Sequence, residues 1–310
     1  MAQIADEQRH NKGKKYLPLF LMMAPGLLYL LINNYLPICG LFIAFKDIDF
    51  SKGILASNWV GLQNFRYLFS TSDAFVITRN TVLYNGAFII INTVTAVGIA
   101  ILLNELKNRF WSRFYQSVIL LPYLLSMIIV SYLVFSLFSV QLGFMNKTIL
   151  PLLGLQAVSW YSEPKFWPPI LILVNTWKNV GFLCVIYLAS IISIDKGYYE
   201  AAMIDGATKW QQIRTITIPL ITPVIIIMTL LAVGRIFRAD FGLFYQVPMD
   251  AGALYDTTNV IDTYVYRGLM QLGDIGMSAA AGLYQSVVGF ILVLASNYLI
   301  RKISKENALF

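Results

Sequence analysis

Apolar residues gather in six runs, each long enough to cross a bilayer, near 17–42, 77–104, 114–140, 167–194, 217–241 and 278–300. A helical span needs about 20 mainly apolar residues. The segments between the runs alternate in character. Those at 43–76 and 242–277 are long and rich in aromatic residues, Gly and Asp, and predict partly ordered loops that cap one membrane face. The segment at 196–216 is different. In "YYEAAMIDGATKWQQIRTITIPLITP" acids and helix formers sit beside Tyr198, Tyr199, Met203, Ile204 and Trp210. It must face water, yet carries side chains that need cover.

Local signals give this segment a shape. Glu200–Met203 favour helix. Asp205-Gly206 ends it, because Gly readily adopts the left-handed conformation of a helix C-terminus. Thr208 with Gln211 three residues on matches a capping box and starts a second short helix. Pro219 suits the first turn of the next span, where its missing N–H costs little. The prediction is helix, tight turn, helix, then span five. Ala201, Ala202 and Ala207 keep the elbow slim. Two fates for its apolar side chains remain open on these grounds, a groove on another protein or the membrane surface.

Composition agrees with a membrane solvent. Of 310 residues, 58% are apolar and only 13% charged, with a mean hydropathy of +0.67. A soluble chain of this size could not hide that much apolar surface. The net charge of +7 is then a matter of topology rather than of nucleic-acid binding. With the N-terminus placed in the cytoplasm, thirteen Lys and Arg fall in inner segments and six in outer ones, which favours both termini inside. The chain divides into an inner tail at 1–16, a transmembrane domain at 17–303 and an inner tail at 304–310. The first run follows a polar stretch and lacks a small-residue cleavage site, so it predicts a span rather than a cleaved signal.

Several chemistries are excluded. His10 is the only histidine, and Cys39 and Cys184 lie in separate apolar runs. That leaves no His/Cys metal site, no Ser–His machinery and no expected cofactor. No phosphate-cradling GxxxxGK[ST] loop is present, so ATP and Mg would have to bind elsewhere.

"EAAMIDGATKWQQIRTITIP" resembles the EAA loop of ABC importer permeases. Glu200, Ala201, Ala202, Asp205, Gly206, Ala207, Gln211, Ile216 and Pro219 match its pattern in order and spacing. "LPLFLMMAPGLLYLLINNYLPICGLFIAFKDIDF", "LLPYLLSMIIVSYLVFSLFSVQLGFMN" and the terminal "ENALF" are similar to the polysaccharide-type branch of the carbohydrate importer permeases. The resemblance implies an all-α membrane subunit of a bacterial plasma membrane whose elbow is a coupling helix. It implies a second related permease, two copies of a cytoplasmic ATPase, an external solute-binding protein and an oligosaccharide substrate. Thr208-Lys209 stands where some maltose-type relatives have Gly-Pro.

Polar residues inside the spans are candidates for the substrate path, since they are costly in lipid unless they meet a partner or water. Lys178 lies about 16 Å into span four at 1.5 Å per residue. Asn175, Trp177 and Asn179 accompany it, and a ring beside hydrogen-bonding groups suits a sugar. Arg235 and Arg238 end span five near the outer face. Asn85, Tyr132, Tyr284 and Gln285 complete the set. Each has a plainer reading. The arginines could be interfacial anchors, Lys178 could pair with an acid on the sister permease, and the amides and phenols could bond helix to helix. The sharper expectation is a cationic path for oligosaccharides bearing uronic acids, motivated by three cations without an intramembrane acid, and a neutral oligosaccharide stays open beside it. Two rival functions remain, a stand-alone secondary transporter or channel and a membrane glycosyltransferase. The first lacks an Asp/Glu relay in the spans, and the second lacks evidently convergent acids at one face.

Overall fold

The computed structural model describes Tyr16 and residues 18–106 and 108–303. Apart from Tyr16, the expected tail at 1–16 lies outside the described residues, as does the tail at 304–310. Helix α1 (Pro18–Phe45) widens to a π turn over Leu31–Tyr35 and tightens to 3-10 from Leu36. Pro37 sits at this change of pitch, where its ring displaces the ordinary backbone hydrogen bond. Only the stretch Leu36–Phe45 packs closely, on α3 and α15.

A short connecting segment follows. It holds β1 (Lys46–Asp47), α2 (Gly53–Ala56), β2 (Asn58–Trp59) and α3 (Gln63–Ser70). The two strands pair antiparallel, Lys46 with Trp59. Helix α4 (Ser72–Asn104) packs most extensively on α8 (Trp167–Ile192). Ala96 and Ala100 are fully buried at that seam, together with Cys184 and Tyr187. Small residues let helix backbones approach where lipid provides no hydrophobic drive.

The run expected as one span over 114–140 is two helices. Helix α5 (Arg109–Leu124) and α6 (Met127–Phe138) meet at a 96° bend. Pro122 lies in the last turn of α5, Leu125 is extended, and Ser126 caps α6 by accepting from the Ile129 N–H. Gly181 of α8 sits so close to α5 that a Cβ there would stand 2.1 Å from the Ile119 carbonyl oxygen. A short α7 (Leu150–Leu152) leads towards α8, which begins with Pro168 and Pro169 in its first turn.

The elbow comprises α9 (Lys196–Ile204) and α10 (Lys209–Gln212), then a π turn into α11 (Ile218–Val233). Helix α11 stops earlier than the expected 241. Residues 234–240 are turns and extended backbone. The far end is closed by α12 (Phe241–Gln246), α13 (Tyr255–Thr258) and α14 (Ile261–Met270), and α15 (Ile275–Ile303) completes the chain. Buried Arg267 fastens this cap. It donates to Asp250 Oδ1 at 2.6 Å, to Asn259 Oδ1 and to Thr263 Oγ1, and lies over the Tyr255 ring.

Among the described residues, five helices are long and apolar enough to cross a membrane, and the count is six where the bent pair α5–α6 is taken as one broken span. The all-α membrane architecture expected from the hydropathy pattern is the one observed.

Candidate functional site: a polar cleft and an exposed elbow

Two features stand out, at different depths of the same helices. The first is the elbow. The predicted turn forms as a Schellman motif, in which the Gly206 N–H donates to Met203 O at 3.1 Å and the Ala207 N–H to Ala202 O at 2.9 Å. Gly206 carries φ +79°, the left-handed value that motif requires. The capping box also forms, with the Thr208 N–H donating to Gln211 Oε1 at 2.7 Å and the Gln211 N–H to Thr208 Oγ1 at 3.4 Å. The elbow is braced to its neighbours. Tyr199 and Thr217 share a hydroxyl hydrogen bond of 2.9 Å, buried Gln212 donates to Ala207 O, and Lys209 pairs with Glu105 at the end of α4. Its apolar side chains point away from this bracing. Ile204 is 86% exposed and Trp210 68%.

The second feature is a cleft of about 440 Å³ between α4, α8 and α11. Its composition changes along its length. At the end remote from the elbow stand Arg235, Arg238 and Asn85. Asn92, Asn175 and Asn179 form a middle layer, where Asn92 Nδ2 donates to Asn175 Oδ1 at 2.9 Å. Asn92 Oδ1 is buried with no partner among the described residues. A buried acceptor left open is costly, and Asn92 is one of the residues lining the cleft. Met228, Leu231 and a stacked pair, Tyr123 on Phe182 with centroids 4.9 Å apart, supply apolar wall.

The sequence-derived candidates separate cleanly. Asn85, Asn175, Arg235 and Arg238 line the cleft, and neither arginine forms a salt bridge among the described residues. Lys178 does not line it. Its ammonium is buried and donates to Pro122 O at 3.3 Å, Tyr123 O at 3.2 Å and Leu125 O. These carbonyls lie at the break between α5 and α6, so within this chain the cation has backbone partners. Trp177 and Tyr132 are exposed away from the cleft. Tyr284 bonds Thr78 and packs edge-on against Phe69 and Phe237.

Gln285 and Asn85 serve the backbone. Asn85 Nδ2 donates to Ile236 O at 2.8 Å and Arg238 O at 3.2 Å, and Gln285 Nε2 donates to Phe237 O at 2.7 Å. Non-helical backbone near a membrane needs such partners, because lipid offers none. Asp262 joins them and was not among the candidates. Its Oδ2 accepts from the Ala239 N–H at 2.8 Å and from Gln285 Nε2 at 3.0 Å. Burial raises the pKa of this carboxyl, against the lowering effect of the Ala239 N–H, Gln285 and nearby Arg238. Tyr123 and Phe182 were missed as well. The signal for Tyr123 was its place directly after Pro122, where a span was due to break.

Residues 93–305 match the family described as "Binding-protein-dependent transport system inner membrane component". The chain belongs to this family. It is therefore a membrane transport component rather than an enzyme, which removes the glycosyltransferase alternative, and the family's dependence on a binding protein disfavours a stand-alone transporter. Similar relatives include Protein LplB of Bacillus subtilis, 34% identical over 289 residues, covering 93% of this chain and 90% of the relative. The polygalacturonan/rhamnogalacturonan transport system permease protein YteP of the same organism is 34% identical over 294 residues, covering 95% of this chain and 90% of the relative. Among solved structures, a chain of a bacterial ABC transporter involved in import of the acidic polysaccharide alginate superposes with a TM-score of 0.86 at 31% identity, covering 96% of this chain and 99% of that chain. A second structure of an alginate ABC transporter, in complex with an alginate pentasaccharide-bound periplasmic protein, gives 0.85 at 31% identity, covering 95% and 98%. The resemblance carried by the elbow and the flanking runs thus extends to family membership over most of the chain.

Proposed function

We propose that this chain is one of two permease subunits of an ABC importer for oligosaccharides that carry uronic acids. The cleft is its half of the path, entered from the outer face. The observation that carries the reading is the pair Arg235 and Arg238 at the cleft mouth, free of salt bridges among the described residues. Two guanidiniums in a low-dielectric cleft favour carboxylates, with which Arg forms strong, forked hydrogen bonds. Below them, the Asn layer offers donors and acceptors to hydroxyls, and the Tyr123–Phe182 pair offers an apolar wall to a sugar ring. Transport of pectic polysaccharide by one relative and of alginate by two structural neighbours supports an acidic substrate here.

The elbow is the coupling element. Glu200, Ala201, Ala202, Asp205, Gly206, Ala207 and Gln211 shape a rigid knob whose exposed Ile204 and Trp210 fill a cleft on a cytoplasmic ATPase subunit. ATP and Mg bind on two such partners, none on this chain. Closure of those partners draws the elbows together, and α11 and α4 carry the movement to the cleft. Both termini lie in the cytoplasm, and the far cap of α12–α14 receives the external binding protein.

Uptake by the complete importer in proteoliposomes tests this reading. Oligogalacturonide should be taken up with ATP inside, and the Arg235→Gln/Arg238→Gln double variant should lose that uptake while retaining ATPase activity. Equal transport of acidic and neutral oligosaccharides by both proteins would overturn the acidic-substrate assignment.

A further inference from the structure

Asp262 lies on the first turn of α14, outside every long apolar helix. Its Oδ2 nevertheless reaches the cleft wall, accepting from Ala239, the residue that follows Arg238, and from Gln285. Gln285 uses its other amide hydrogen on Phe237 O, and Asn85 takes the carbonyls of Ile236 and Arg238. Three side chains from α4, α14 and α15 thus hold one short non-helical stretch, and that stretch carries both cleft cations, Arg235 and Arg238, with Arg238 directly before the residue Asp262 binds. Asn85 and Gln285 are neutral. Asp262 alone of the three brings a charge, of sign opposite to Arg238. The start of α14 is itself fixed to α4, through the Ile261 N–H donating to Thr81 Oγ1 at 3.1 Å.

We propose that Asp262 is a positioning and specificity-determining residue, which anchors Arg238 at the cleft mouth and moderates its attraction for anions. The consequence for transport rests on the cleft being the substrate path. A bare guanidinium in a narrow cleft would hold a polyanion too firmly to release it, and conduction through any polar path needs binding weak enough to let go. A carboxylate set behind the arginine, bonded to its own backbone, lowers the field without blocking the guanidinium.

Both donors share Oδ2, so the amide oxygen of an Asn at this position can accept both bonds and carries no charge. Asp262→Asn and Asp262→Ala therefore separate charge from anchoring. The test uses the assembled importer with Leu231→Cys on the cleft wall as its single reactive cysteine, Cys39→Ser and Cys184→Ala removing the native thiols. Modification rates with a negatively and a positively charged methanethiosulfonate give a ratio that reads the local potential and needs no sugar. Asp262→Asn should raise the negative-to-positive ratio about tenfold, the lower end of field focusing in a charged cleft. Adding Arg238→Gln should abolish that rise. Asp262→Ala removes the same charge but frees the Ala239 N–H, and its ratio should fall well below that of the Asn variant as Arg238 leaves the mouth. A ratio in Asp262→Asn within about twofold of its parent, against the focusing expected of a buried charge, overturns the proposal. So do equal ratios in the Asn and Ala variants. Failure of oligogalacturonide to cross would overturn the substrate reading and leave these ratios standing.

Discussion

The Lys178 ammonium stands 3.2 Å from the carbonyl oxygen of Tyr123, three residues before Ser126 caps α6. With Pro122 and Leu125 it completes a set of three carbonyls at the break. A cation at a helix C-terminus meets both the dipole and the last carbonyls, of which Pro122 O also accepts from the Leu125 N–H at 3.2 Å. This fixes the angle at which α5 hands over to α6, and also the position of Tyr123 on the cleft wall.

Lys178→Met should therefore act on stability. The Tyr123 and Leu125 oxygens would lose this partner while Pro122 O keeps the Leu125 N–H, and a buried carbonyl left unpaired costs about 1–3 kcal/mol. The apparent melting temperature of the detergent-solubilised chain should fall, and Lys178→Arg should restore part of it. An unchanged melting temperature with lost acidic uptake would return Lys178 to the substrate path.

Gly181→Ala tests the neighbouring contact. The added Cβ would meet backbone at Ile119 rather than a yielding side chain. Overpacking of this kind costs about 1–3 kcal/mol. Lower yield and lower melting temperature are expected, with a smaller effect for Gly98→Ala in α4, where nothing lies within 4 Å.

The elbow should show the opposite division. Ile204 and Trp210 are exposed, so Trp210→Ala should barely change the stability of the chain. If the ATPase covers them, the same change should weaken assembly by about 2 kcal/mol or more, as buried aromatic anchors do. Co-purification with the ATPase measures this. Gly206→Pro and Glu200→Lys should uncouple substrate-stimulated ATPase from uptake while the protein remains in the membrane. The exposed Lys209–Glu105 pair should contribute little.

Asp262 gives a pH dependence. Its folded pKa is raised, so the folded state holds its proton at pH values where the unfolded chain has released it. Its contribution to stability is present below the unfolded pKa and lost as pH rises through the folded one. Asp262→Asn should therefore gain melting temperature on the wild type as pH rises above the ordinary carboxylate range. Thermal melts across that rise give the difference directly, and a gap that narrows with rising pH would contradict the sign.

The elbow was legible because its signals are local. Gly206, Thr208, Gln211 and Pro219 each act within four residues, and all four occupy the positions read for them. The cleft was legible only by residue type. Asn85 and Gln285 were noticed as polar groups inside apolar runs, but their partners are backbone carbonyls exposed by the early end of α11. That end depends on tertiary support from α4, α14 and α15. The backbone partners of Lys178 were hidden for the same reason, since the hydropathy of 114–140 is unbroken across a 96° bend. Asp262 sat in an apparent loop, and no periodicity ties a loop acid to a helix many residues away.

The early end of α11 has a mechanical consequence. A rod carries thrust only as far as it stays a rod. On the proposed coupling, a push entering at Thr208 would pass the π turn at Ile213–Thr217 and follow α11 to Val233, where it would meet a bent strip of chain gripped from three sides. There thrust would leave the axis and spread sideways into the lid, so a stroke delivered at one end of the rod would emerge at the other as a twist.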